Sequence, residues 1–244
     1  RFVPKPIAGT EKIWPSKQKT TGFFQKFLFL SQKSYTTGMK KERIGIFGGT
    51  FDPPHLGHLI LACEVYTQLK LDRLLWMLTP DPPHKQDRQI STLSHRKEMV
   101  ALAIADNSSF ELSLIEAERP GPHYSVDTVR IVRERNLGAE IIYLMGGDSL
   151  RNLDTWHTPA DFVAACDEIG VMRRPADAID ASMLGGVVEG LLEKIRFVNA
   201  PLLEIASREI RQRIRESLPC RYYLPRKVFE YILDEGVYQK NKSN

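Results

Sequence analysis

The sequence predicts an α/β domain built on a doubly wound, mostly parallel sheet, with further helices at its C-terminal end. Short runs that are apolar throughout alternate with amphipathic stretches of helical spacing, and Gly- or Pro-containing loops follow several of the runs. A strand with apolar residues on both faces needs helices on both sides, and that is the setting of parallel strands. Ligands of such sheets bind beyond the carboxyl ends of the strands, so the loops that follow strands are where chemistry is expected.

Arg43 to Phe47 is the first strand, and a Gly and Pro loop leads from it into a helix marked by Leu59, Ala62, Cys63, Tyr66 and Leu69. Leu74 to Leu78 is a continuous apolar strand, Ser94 is placed to cap a helix running through Ala105, and Phe110 to Leu114 is a third strand. Ser125 to Arg135 reads as a helix, Ile141 to Met145 as a strand ending in Gly146 and Gly147, and Glu168 to Met172 as another ending before Arg173, Arg174 and Pro175. Residues 176 to 194 read as a connection with a weak helix, and Arg196 to Val198 as a last strand. Ser207 to Ser217 and Arg226 to Glu235 read as terminal helices.

The net charge of +4 is unevenly spread. Residues 1 to 38 hold seven Lys or Arg against one acid, which is +6, so the remaining chain carries −2. Without a broad cationic surface on the main body, nucleic acid is not the expected partner. No apolar run approaches the roughly 18 residues of a spanning helix, so no membrane partner is expected either. The three cysteines, Cys63, Cys166 and Cys220, are far apart and form no CxxC pair, which speaks against a disulfide framework and suits a reducing, cytoplasmic compartment. Residues 1 to 38 read as an extension, basic and hydroxyl-containing enough to leave organellar targeting open, with Met39 the preferred natural start. The expected domain is 39 to 239, followed by a tail over 240 to 244. No feature sets an oligomeric state.

The densest signal is Gly48-Gly49-Thr50-Phe51-Asp52-Pro53-Pro54-His55-Leu56-Gly57-His58, directly after the first strand and opening the first helix. Glycines let backbone N–H groups approach phosphate, a helix N-terminus adds positive potential, and two imidazoles three residues apart can face one ligand. The spacing is neither GxGxxG nor a Walker loop, and no HExxH helix or third ligand points to zinc. Near the other end, Ile205-Ala206-Ser207-Arg208-Glu209-Ile210-Arg211 opens a helix in which Ser207 can cap and bond a phosphate oxygen. Arg208 and Arg211 can present guanidinium groups from one side of that helix.

The first segment resembles the HxGH nucleotidyltransferase superfamily, and the second resembles that family's ISSxxIR signature, with Ala206 in place of the first serine. The resemblance implies a Rossmann-like fold, ATP as co-substrate with Mg²⁺ held by its phosphates, and an ATP site of Gly48, Gly49, Thr50, Phe51, His55, His58, Ser207, Arg208 and Arg211. His55, His58 and Arg211 are the catalytic candidates, and no protein metal site is expected. From Met39 to Tyr238 the chain resembles the nicotinate-nucleotide adenylyltransferase branch. There Pro82-Pro83-His84-Lys85 resembles a loop that contacts the pyridine nucleotide's phosphate. Ser125, in Gly121 to Thr128, matches a residue that holds the nicotinate carboxylate, while Asp148 resembles an acid that fixes nucleotide groups and Trp156 an aromatic that stacks on pyridine.

The expected reaction is nicotinate mononucleotide plus ATP giving deamido-NAD and pyrophosphate. The rivals are an adenylyltransferase for nicotinamide mononucleotide or another phosphate such as phosphopantetheine, and a nucleotide sensor that keeps the cradle without turnover.

Overall fold

Six strands form a single parallel sheet in the order β3-β2-β1-β4-β5-β6. They are β1 (Arg43–Gly49), β2 (Arg73–Leu78), β3 (Phe110–Ser113), β4 (Glu140–Gly146), β5 (Glu168–Arg173) and β6 (Ile195–Asn199). The structure is a computed structural model and describes residues 40–80, 90–173, 188–201 and 203–239. His84 and Lys85, the extension over 1 to 38 and the tail over 240 to 244 lie outside them.

The alternation of side chains along the strands sorts the core into two layers. Ile44, Ile46, Leu75, Met77, Ile141 and Met145 point to one face, where α3 (Ser125–Arg135), α4 (Gly147–Arg151) and α5 (Pro159–Ala165) cover them. Phe47, Leu74, Trp76, Ile142 and Leu144 point to the other. That second face is covered by α1 (Leu56–Gln68), α2 (Leu93–Ile104), α7 (Ser207–Arg215) and α8 (Arg226–Asp234). A four-residue helix, α6 (Leu191–Lys194), precedes β6. Gly45 and Gly170 face the second layer, where a Cβ would come within 2.6 Å of Leu71 and of Leu69, so the leucines after α1 can lie against bare backbone.

The predicted strands are all present, each within two residues of its expected bounds, and α3 has the predicted bounds. One expectation is corrected. Thr92, not Ser94, caps α2, its Oγ1 accepting from the His95 N–H at 3.4 Å, because the helix begins at Leu93 and Ser94 already lies inside its first turn. The helix α5 carries little sequence signal. It is only seven residues long and follows Thr158 in the left-handed region, though Pro159 at its first position is an ordinary helix-start signal.

The sheet winds one way from β1 to β2 and β3 and the other way from β1 to β4, β5 and β6. The carboxyl ends of β1 and β4 therefore open a crevice where the winding reverses, and Gly48, Gly49 and Gly146 end the two strands there.

Candidate active site

Two cavities meet at this reversal point. One, of about 460 Å³, is lined by His55 and His58 from the start of α1 and by Ser207, Arg208 and Arg211 from the start of α7. The other, of about 860 Å³, is lined by Gly48, Gly49, Tyr124, Ser125, Tyr143 and Trp156 among others. Thr50, Gly146, Asp148 and Met172 border both. Two ligands placed in these cavities would meet over the ends of β1 and β4.

The backbone at 50–55 turns sharply enough to put Phe51 at φ 48°, and its ring goes inward, 2% exposed, against Phe47 and Trp76. The Phe51 side chain belongs to the core and lines neither cavity. The same ring accounts for Gly49, where a Cβ would come within 2.7 Å of it. Gly48 and Gly49 border the larger cavity, while Thr50 borders both.

His55 and His58 stack with ring centroids 3.7 Å apart and planes at 25°. His58 Nδ1 accepts the backbone N–H of His55 at 3.2 Å, reaching back over the first turn of α1. An accepting Nδ1 places the proton of the neutral ring on Nε2. His55 is 5% exposed, its Nδ1 is buried without a partner, and burial pulls its pKa down to about 4. It is therefore neutral near pH 7, and the positive charge at the smaller cavity comes from Arg208 and Arg211. Above the ordinary imidazole value of 6.5 neither state protonates this ring appreciably, and the folded state keeps its full stability. As pH falls, the unfolded chain takes up a proton that folded His55 resists down to about 4. Folding should consequently lose about 2 kcal/mol between pH 7 and pH 5 through this residue alone. Urea titrations at several pH values should show that slope, and His55→Asn should flatten it; an unchanged slope would contradict the assignment.

Ser207 does not cap α7. Ala206 is at the N-cap, its carbonyl accepting from the Ile210 N–H at 3.1 Å, and Ser207 is the first residue of the helix. Its hydroxyl donates to the Pro53 carbonyl at 2.9 Å, fastening α7 to the loop after β1. Arg208 is exposed at the cavity. Arg211, with its side chain 14% exposed, donates from Nη1 to the Asp52 carbonyl at 2.6 Å and lies 3.8 Å from Asp52 Oδ2.

In the larger cavity, Ser125 is the first residue of α3, a helix without a side-chain cap, and its Oγ lies 3.1 Å from the Tyr143 hydroxyl. Burial pushes the Tyr143 phenol up to about 12, so it remains an O–H group. Trp156 is half-buried, tilted against Phe162 at 5.2 Å and edge-on to Tyr143 at 6.1 Å, with part of its surface left on the cavity. Asp148 is exposed in the first turn of α4 and pairs with Arg151. Gly146 is the residue at the N-cap, so Asp148 is not a helix cap.

Four residues that support this site lie outside the set expected from the sequence. Arg96 is 2% exposed and donates to the carbonyls of Ser91, Thr50, Thr79 and Pro80, which ties the ends of β1 and β2 to α2. A charged residue in register with the buried Met99, Val100 and Ala103 was the available signal. Asp52 lies inside the Gly48 to His58 segment with no role read from it, and distant Tyr238 has no such signal. Tyr124, stacked on His157 at 3.8 Å, adds an aromatic wall to the larger cavity and was passed over beside Ser125.

A helix start of the His-x-Gly-His kind at the switch point of a parallel sheet, faced by an arginine-bearing helix across a polar cavity, defines an α/β nucleotidyltransferase. Residues 46–213 accordingly match the family described as Cytidylyltransferase-like. The chain is 41% identical over 198 residues to a protein of Thermomicrobium roseum named "Probable nicotinate-nucleotide adenylyltransferase", a match spanning 81% of this chain and 92% of that one. It is 37% identical to the nicotinate-nucleotide adenylyltransferase of Bacillus subtilis, across 81% and 99% of the two lengths. The chain belongs to the nicotinate-nucleotide adenylyltransferase family. Its fold is shared by the Plasmodium falciparum nicotinic acid mononucleotide adenylyltransferase complexed with NaAD, with a TM-score of 0.67 at 19% identity over 81% of this chain and 97% of that one.

Proposed function

We propose that the chain transfers the adenylyl group of ATP to nicotinate mononucleotide, giving deamido-NAD and pyrophosphate. The observation that carries this reading is the pair of cavities sharing Thr50, Gly146, Asp148 and Met172, one lined by imidazoles and guanidinium groups and the other by aromatic rings and hydroxyls. A triphosphate suits the first and a pyridine ring the second.

In this reading a phosphate oxygen of the mononucleotide attacks the α-phosphorus in line. The bond from that phosphorus to the bridging oxygen breaks, and pyrophosphate leaves with the electron pair, so no enzyme-bound intermediate or proton relay is required. Arg208 and Arg211 neutralise the phosphates, and the Nε2–H of His58 donates to the oxygen on which charge develops. Neutral His55 packs beneath His58 and fixes its plane. Among the described residues no three His, Cys, Asp or Glu stand together as a metal site. Mg²⁺ would enter with the ATP phosphates, an arrangement that ion favours because it gives up water reluctantly.

The start of α3 with Ser125 and the neutral Tyr143 hydroxyl would take the nicotinate carboxylate, since uncapped N–H groups and O–H donors favour an anion. Trp156 would hold the ring and Asp148 the nucleotide's polar groups. Nicotinate mononucleotide should thus have a higher kcat/KM than nicotinamide mononucleotide, and the reverse ranking would reject the branch while leaving adenylyl transfer intact. In the same assay Trp156→Ala should raise KM for the pyridine nucleotide about tenfold. The KM for ATP should hardly change, and equal loss for both substrates would make Trp156 a packing residue only.

A further inference from the structure

Asp52 is 3% exposed, yet it borders the smaller cavity, and three elements distant in sequence converge on it. Its Oδ1 accepts from the Tyr238 hydroxyl at 2.6 Å, and its Oδ2 accepts from the Ser91 N–H at 3.3 Å and lies 3.8 Å from Arg211 Nη1. Its backbone carbonyl accepts from that same Arg211 nitrogen at 2.6 Å. Arg211 Nε is buried and has no partner. The guanidinium is thus held by one of its nitrogens, and that anchor depends on where Asp52 sits.

Tyr238 reaches Asp52 from the hook that follows α8, where Gly236 and Tyr238 itself have φ of 62° and 68° and the Val237 N–H bonds the Ile232 carbonyl at 3.0 Å. A non-glycine residue in the left-handed region is strained and is held there by its surroundings. Tyr238 therefore occupies a conformation that its side-chain contacts must stabilise. Burial, followed by the charge of Asp52, drives its phenol well above the ordinary tyrosine value, so it acts only as an O–H donor.

We propose that Tyr238 is a positioning residue for ATP, its hydroxyl fixing the Asp52 carboxylate and, through it, the guanidinium of Arg211 at the phosphate cavity. The end of the fold, 186 residues from Asp52 along the chain, thereby completes the nucleotide site. This inference rests on the reading of Arg211 as an ATP ligand, and its test separates the two.

The measurement is calorimetric titration of the full chain with α,β-methylene ATP and Mg²⁺, which requires no pyridine substrate. Arg211→Ala should weaken binding strongly. Tyr238→Phe removes one oxygen and should weaken binding about tenfold, the order of coupling found between residues in one hydrogen-bonded network. In the Arg211→Ala background Tyr238→Phe should add less than about twofold, because the group it positions is gone. Tyr231→Phe supplies the comparison, since it removes a hydroxyl of α8 that lies 2.8 Å from His95 Nδ1, and it should leave affinity unchanged. In turnover, Tyr238→Phe should raise KM for ATP with little change in KM for the pyridine nucleotide. A Tyr238→Phe protein with a lowered Tm and wild-type affinity would overturn the proposal, as would an equal loss with and without Arg211. If Arg211→Ala binds the analogue normally, the ATP role of Arg211 fails first and the inference falls with it.

Discussion

His58→Ala is expected to lower kcat by about 10²- to 10³-fold, the scale for removing one preorganised donor to developing charge. The geometry supplies the reason. With Nδ1 accepting the His55 N–H, the proton of the neutral ring lies on Nε2, and the residue lines the cavity beside Arg208 and Arg211. The same bond means that the substitution also removes a tie across the first turn of α1, worth about 0.5–1 kcal/mol. A modest fall in Tm should accompany the large kinetic effect. Single-turnover kinetics with saturating ATP, set beside thermal unfolding, separates the two contributions. A variant that is somewhat less stable but performs the chemical step at nearly the normal rate would reduce His58 to a cap.

Arg96→Met should produce the largest loss of stability at the site. The guanidinium is buried, and its bonds to the Thr79 and Pro80 carbonyls are both 2.7 Å, with longer ones to Ser91 and Thr50. Methionine fills much of the stem's volume but leaves those carbonyls without their donor in a place water reaches poorly. The expected cost is about 3–5 kcal/mol. In a chain of this size that corresponds to a Tm lower by about 10 °C. Because Thr50 borders both cavities, ATP and pyridine nucleotide should both bind more weakly in the fraction that remains folded. A Tm shift below about 2 °C would contradict this account of Arg96.

The strands were legible because burial on both faces forces continuous apolar runs, and Ile141 to Met145 or Leu74 to Leu78 allow few other readings. The histidine pair and Arg211 were legible because their chemistry is written within a few residues of a strand end or a helix start. What escaped was set by three-dimensional proximity. Ser94 and Thr92 are equally good caps on paper, and only the first hydrogen bond of α2 selects Thr92. Phe51 lies within the Gly- and His-rich segment after β1 by sequence but within the core by side chain, because a backbone at positive φ turns its ring inward. Tyr238 carries no local mark at all, since the carboxylate it bonds lies at the other end of the domain.

Two ligands are proposed to meet over the ends of β1 and β4, with the adenylyl group passing between them. Incubation of the protein with Mg²⁺, nicotinate mononucleotide and ATP labelled at the α-phosphate tests it directly, with deamido-NAD and pyrophosphate both measured. The label should enter deamido-NAD with one pyrophosphate released per molecule formed. Saturable ATP binding with neither product would contradict it and leave a nucleotide-binding protein without transfer.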